Sequence, residues 1–245
     1  VSALAQSEVS NRLLRALSPQ VFERLRPHLQ TVDLPVRHVL VEVDTPSTHV
    51  WFIEHGLAST VAHNDDTQNI EVGHVGPEGM VGIHVLMKTE TSPNRTFMQV
   101  GGAGISVPVE HFDHVIEHEA SGRHLLLRYV HTQQLQLSHT ALANGRYKMH
   151  ERLARWLLMC HDRIDGDHLP LTHDFLSIML GVRRSGVTNE LHVLEGIHAI
   201  RATRGDVHIL DRAKLLEIAG ASYGRPEREY HRLISSQSDT LNHTA

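Results

Sequence analysis

The sequence predicts an α+β chain: an antiparallel β domain, then a long helix, then a C-terminal helical unit closed by a hairpin. Three observations predict it. Residues 31–109 break into short strand-like runs parted by Gly and Asp turns, the pattern of an antiparallel barrel, sandwich or roll. Residues 110–143 then switch to apolar positions that step by three and four. Residues 171–200, LTHDFLSIMLGVRRSGVTNELHVLEGIHAI, hold two short apolar-periodic segments split by Gly181. At 245 residues, with 40% apolar and 21% charged positions, the chain has the length for two globular domains and a composition far from the disordered class.

The first thirty residues read as short helices, with Ser18-Pro19 as N-cap and first-turn pair ahead of QVFERLRPHL. The strand-like runs follow as TVDLPV, RHVLVEV, HVWFIE, LASTVAH, NIEVGHV, RTFMQV and GISVPV. Turns are expected at Asp44-Thr45-Pro46, His55-Gly56, Asn64-Asp65-Asp66 and Gly76-Pro77-Glu78-Gly79. The helical stretch from about 110 breaks near Ala120-Ser121-Gly122, and its second part, about 121–143, carries a seam of Leu127, Val130, Gln134, Leu137 and Ala141. That seam has no evident partner inside the chain, so a two-fold homodimer through this helix is expected. Asn144-Gly145 marks a break, ERLARWLLMCHDRI at 151–164 is another helix, and a loop runs from Asp165 to Pro170. The predicted organisation is a β domain with its helix over 1–143, a C-terminal helical unit over 144–225 and a polar tail over 226–245.

Thr172 is placed to cap a helix that buries Phe175, Leu176, Met179 and Leu180. Gly181 supplies a left-handed turn, and a second helix begins at Arg183 or Arg184 with Val187, Leu191 and Leu194 inward. This is helix-turn-helix spacing, and IRATRGDVHIL adds two short strands about Arg204-Gly205-Asp206, the wing of a winged helix. The exposed first turn presents Arg184, Ser185 and Asn189 for base edges, while Thr172, Arg183, Arg201 and Arg204 suit phosphates. Bulk charge does not help: residues 1–144 carry 9 Lys and Arg against 15 Asp and Glu, and residues 145–245 carry 14 against 13. Attraction to double-stranded DNA must therefore be local.

The segments HVWFIEHGLASTV, GHVGPEGMVG and LPLTHDFLSIMLGVRRSGVT resemble those of the cyclic AMP receptor/fumarate-nitrate regulator (Crp/Fnr) family of bacterial transcription factors, and the resemblance spans about residues 15–220. It implies a cyclic-nucleotide-binding-like β-roll (jelly-roll), a dimerisation helix, a winged helix-turn-helix, and a homodimer on an inverted-repeat operator. It also implies an effector pocket, here at Gly82, Ile83, Arg95, Thr96, Leu137 and Ser138. Ile83 stands where nucleotide-binding members have a ribose-binding Glu, and Leu137 replaces half of an adenine-contacting Thr-Ser pair. A site built on hydrogen bonds loses affinity when they go unpaired, so cyclic AMP is not the expected effector. Arg95 and Thr96 remain as a remnant pocket for another anion. The sole cysteine, Cys160, rules out the iron–sulfur cluster of oxygen-sensing members. Glu190 departs from the pattern at a position that is usually small or apolar.

Of 22 histidines, His111, His114 and His118 share one helical face with possible metal-ligand spacing, but no Cys or carboxylate partner is fixed nearby, and no metal is expected. So many histidines make net charge and DNA affinity depend on pH. Nucleophile elbow, P-loop, zincin helix and paired carboxylates are missing, so no enzyme is expected. Apolar runs are too short for a membrane span, and the N-terminus has no signal-peptide core, which favours the cytoplasm. RNA polymerase is the further partner expected if the chain activates transcription. The alternative is a ligand-binding regulatory module acting through a protein partner, and the winged helix argues against it.

Overall fold

The structure is a computed structural model that describes residues 4–63 and 69–235. These divide into two compact units: residues up to Thr60 with His74–Leu135 and the segment from Glu227 on, and Val61–Gly73 with Gln136–Pro226.

In the first unit, Asn11 and Ser18 cap two short helices, α1 (Arg12–Arg15) and α2 (Pro19–Leu25), by accepting from the backbone N–H groups of Leu14 and Val21. The strands are β1 (Gln30–Leu34), β2 (Val39–Val41), β3 (His49–His63), β4 (Asn69–Val75), β5 (Met80–Val81) and β6 (Arg95–Pro108), with the short helix α3 (Ile83–Leu86) between the last two. They pair in the order β1-β6-β3-β4, with β2 on β6 and β5 on β3. Phe22, Val50, Phe52, Met80, Val107 and Phe112 fill the core. This is the predicted antiparallel roll.

Two of its strands are longer than the sequence suggests. HVWFIE and LASTVAH are one strand, as are RTFMQV and GISVPV. The glycines between them are crossing points rather than turns. Gly56 takes φ +91°, and a Cβ there would lie 2.6 Å from the Val100 carbonyl oxygen. One on Gly102 would lie 2.1 Å from the His55 carbonyl oxygen, so only glycine lets β3 and β6 approach this closely. The expected turn at Asn64-Asp65-Asp66 lies outside the described residues.

Glu119 adopts extended dihedrals between α4 (Val109–His118) and α5 (Ala120–Arg146), one residue before the predicted break. Helix α5 does not break at Asn144-Gly145. It continues to Arg146, and the Tyr147 N–H still donates to the Ala143 carbonyl at 3.1 Å, because one internal glycine costs a helix only about 1 kcal/mol. The segment read as the start of a polar tail is helical, as α10 (Arg225–Tyr230) and a turn over His231–Ser235. Tyr230 and Ile234 are buried in the first unit's core, and the Tyr230 hydroxyl donates to the Glu78 carbonyl at 2.7 Å. Apolar positions four apart on one face outweigh the polar majority of that stretch. Residues 236–245 lie outside the described residues.

The second unit comprises α6 (Met149–His161), β7 (His168–Leu169), α7 (His173–Leu180), α8 (Arg184–Gly196), β8 (Ile200–Thr203), β9 (Asp206–Ile209) and α9 (Arg212–Ala219). Its sheet runs β7-β9-β8. Leu153, Leu157, Leu176, Leu191, Leu194, Val207 and Leu215 are buried. The buried Arg155 of α6 donates to the Ser222 carbonyl at 3.0 Å and to the Thr140 hydroxyl at 3.2 Å. No described helix is long and apolar enough to cross a membrane.

Candidate nucleic-acid interface

Helix α7 opens where the Thr172 hydroxyl accepts from the Phe175 N–H at 3.1 Å. It ends at Gly181, whose φ of +63° is left-handed, and an added Cβ there would lie 3.0 Å from Ile70. The turn thus favours glycine, and a larger residue would also press on the end of the Ile70 side chain in β4. Arg152 of α6 donates to the Leu180 carbonyl at 2.6 Å and satisfies an orphan acceptor at the helix end. Arg183 is the extended N-cap residue of α8. Val187, Leu191 and Leu194 face inward, which leaves Arg183, Arg184, Ser185 and Asn189 exposed together. Glu190, the departure noted in the sequence, is half-buried with a carboxylate oxygen 3.8 Å from His150, so the packing of α8 accommodates it with an imidazole rather than an apolar neighbour.

Arg184 is not unpartnered. Its guanidinium lies 3.4 Å from the Asp174 carboxylate in the first turn of α7, with both side chains largely exposed, at 66% and 73%. A pair so open to water holds weakly and yields to a better acceptor. The wing forms as expected: Thr203 pairs with Asp206 around Arg204-Gly205, Gly205 takes φ +82°, and Arg201 and Arg204 are exposed. Sequence spacing gave no sign of the third strand. Through it the rings of His168 and His208 stack at 4.1 Å, and His168 shares a 3.0 Å hydrogen bond with Asp206.

The first unit contains a cavity of about 470 Å³ bordered by β2, β4, β5, α3 and β6. Gly82, Ile83 and Thr96 line it as the sequence led one to expect, joined by Thr60, His84, Asn94 and Gln133. Three expected residues do not line it. Arg95 alternates to the other face of β6 and pairs with Glu42 at 3.2 Å. Leu137 and Ser138 lie a turn too far along α5, exposed, and Gln133 takes the place expected of them.

Residues 151–218 match the Crp-like helix-turn-helix domain family. Several solved structures share the fold over about four fifths of the chain. One is described as a crp/fnr-family transcriptional regulator from Eubacterium rectale, at 16% identity over 84% of this chain and 97% of its own, TM-score 0.67. FixK2 from Bradyrhizobium japonicum has 14% identity over 78% and 98%, TM-score 0.68. The c-di-GMP responsive global regulator CLP of Xanthomonas campestris has 16% identity over 78% and 99%, TM-score 0.64. The helix-turn-helix segment is thus of the Crp-like domain family, and the rest of the chain shares its fold with these structures. No curated protein matches it by sequence.

The long helix α5 leaves a line of Leu127, His131, Gln134, Ser138, Ala141 and Gly145 exposed, with Leu137 and Leu142 beside it at 47% each. Four of the five predicted seam residues, Leu127, Gln134, Leu137 and Ala141, are therefore exposed. Val130 is not. It sits about 60° round the helix from Leu127 and is 6% exposed, turned into its own unit, and His131 occupies its expected place.

The histidine triple does not converge. His111 stacks on His28 at 3.8 Å, while His118 turns toward His114 at 4.6 Å. Among the described residues no group of three or more His, Cys, Asp or Glu is arranged to hold a metal.

Proposed function

We propose that this Crp/Fnr-type transcription regulator binds double-stranded DNA in the cytoplasm as a homodimer on an inverted repeat and does not respond to cyclic AMP. One observation carries the DNA reading: the exposed first turn of α8 brings Arg183, Arg184, Ser185 and Asn189 to one surface of the winged helix, whose hairpin exposes Arg201 and Arg204. A recognition helix docks by this end, with guanidinium and amide groups on base edges and flanking cations on phosphates. The exposed line on α5 supports pairing of two chains, and a two-fold pair reads two half-sites. With Arg95 facing away from the cavity and Ile83 in its wall, a cyclic phosphate lacks the cation and a ribose lacks the carboxylate that the resemblance assigns to them. RNA polymerase is the further partner if the bound chain activates.

Selection of bound duplexes from a random pool tests the reading. The expected product is an inverted repeat with half-sites about 34 Å apart. Retention of all duplexes alike would reject sequence-specific binding.

A further inference from the structure

The walls of the roll cavity point to a ligand chemistry. Among the described residues, no Asp, Glu, Lys or Arg lines the 470 Å³ space. Most lining hydroxyls are already engaged: Thr60 and Thr96 bond each other at 2.9 Å, Thr89 donates to the His84 carbonyl and Ser92 to the Asn94 carbonyl. The one imidazole, His84, is tied to the Ser47 hydroxyl at 3.1 Å, and burial lowers its pKa. Val75, Val81, Ile83 and Met87 supply apolar wall. Asn94 and Gln133 border the space, and their side-chain amides make no hydrogen bond within the described chain.

A phosphate in such a space would lose its hydration and gain no cation in return. An apolar molecule gains by burial there, and the volume falls within the usual few hundred cubic ångströms of small-ligand sites. We infer that the cavity binds an uncharged, mainly apolar small molecule that offers one or two hydrogen-bonding groups to the amides of Asn94 and Gln133. This rests on the reading of the chain as a regulator without a cyclic AMP response and names the effector class its roll takes. It replaces the sequence expectation of a remnant anion pocket.

A matched probe pair tests it on the full chain. N-phenyl-1-naphthylamine is neutral with one N–H donor, and 8-anilinonaphthalene-1-sulfonate is the same skeleton with a fixed negative charge. Fluorescence titration should show one saturable site per chain for the neutral probe, with the sulfonate and cyclic AMP each at least about tenfold weaker. Asn94→Trp, which fills the cavity, and Met87→Trp, at its half-exposed rim, should both abolish that site. Thr91→Arg, which adds a cation to the lining, should shift the preference toward the sulfonate by about tenfold. Absence of neutral-probe binding, equal or tighter sulfonate binding, or binding that survives both Trp variants would each overturn the inference. Duplex binding is measured on the same preparations. Specific DNA binding without neutral-probe selectivity sinks the cavity assignment alone, whereas selectivity without specific DNA binding sinks the regulator reading alone.

Discussion

The indole N–H of Trp156 donates to the Glu71 carboxylate at 2.9 Å, and both side chains are 5% exposed. This bond ties the end of β4 to α6 inside the second unit, beside the point where Ile70 closes on Gly181 at the helix-turn-helix turn. The end of β4 thus helps to hold the helix-turn-helix in place within the second unit. Glu71→Ala removes the carboxylate acceptor of the buried indole, which costs about 1–3 kcal/mol of stability, whereas Glu71→Gln keeps an acceptor and costs less. Denaturant titration of both variants checks the ranking. A loss below about 0.5 kcal/mol for Glu71→Ala would show that the bond contributes nothing measurable.

Arg184→Ala is expected to cost about 1–3 kcal/mol on the cognate duplex and to relax preference at one base pair per half-site. Arg183→Ala and Arg204→Ala should weaken all duplexes alike and flatten the salt slope by about one unit each. Asp174→Ala removes the 3.4 Å partner of Arg184 and should tighten binding modestly, by up to about 1 kcal/mol. Titrations on cognate and scrambled duplexes at several salt concentrations separate these effects; equal losses on both duplexes for Arg184→Ala would refute direct readout.

Leu137→Glu places a carboxylate beside the exposed line of α5, where a second copy would bury it unpaired. The parent chain should sediment as a dimer at micromolar concentration and the variant as a monomer. A dimer that persists in the variant would move the interface elsewhere.

Stability should fall below neutral pH. Burial lowers the pKa of His84, and burial with the neighbouring His111 lowers that of His28. In each case the folded state resists a proton that the unfolded state accepts. Their contribution is therefore complete above the ordinary histidine value of about 6.5 and shrinks as pH falls from there through the lowered folded values, then levels off. Melting temperatures from pH 8 to 5 should trace this decline, and His84→Gln, which keeps a hydrogen-bonding group without the titration, should flatten it. An unchanged slope in that variant would remove His84 as a source.

The sequence alone determined the order of the units, the helix-turn-helix and the wing, because each rests on a local period or a residue with one conformational use. Gly181 is the plainest example: its left-handed turn, the cap at Thr172 and the inward Val187, Leu191 and Leu194 are all readable within a span of 23 residues. Only the tertiary structure decided which groups meet across long separations. The Gly56 and Gly102 crossing replaced the turn expected at His55-Gly56 and joined two pairs of short runs into continuous strands, strand alternation sent Arg95 out of the cavity, and Val130 faced inward although it belongs to the same heptad-like seam as Leu127. Glu71 and Trp156, like His168 and His208, lie tens of residues apart and share no pattern, so their pairing follows from packing rather than from periodicity. A period fixes which face a side chain takes on its own element, but what stands opposite that face depends on how distant elements bury their apolar surface together.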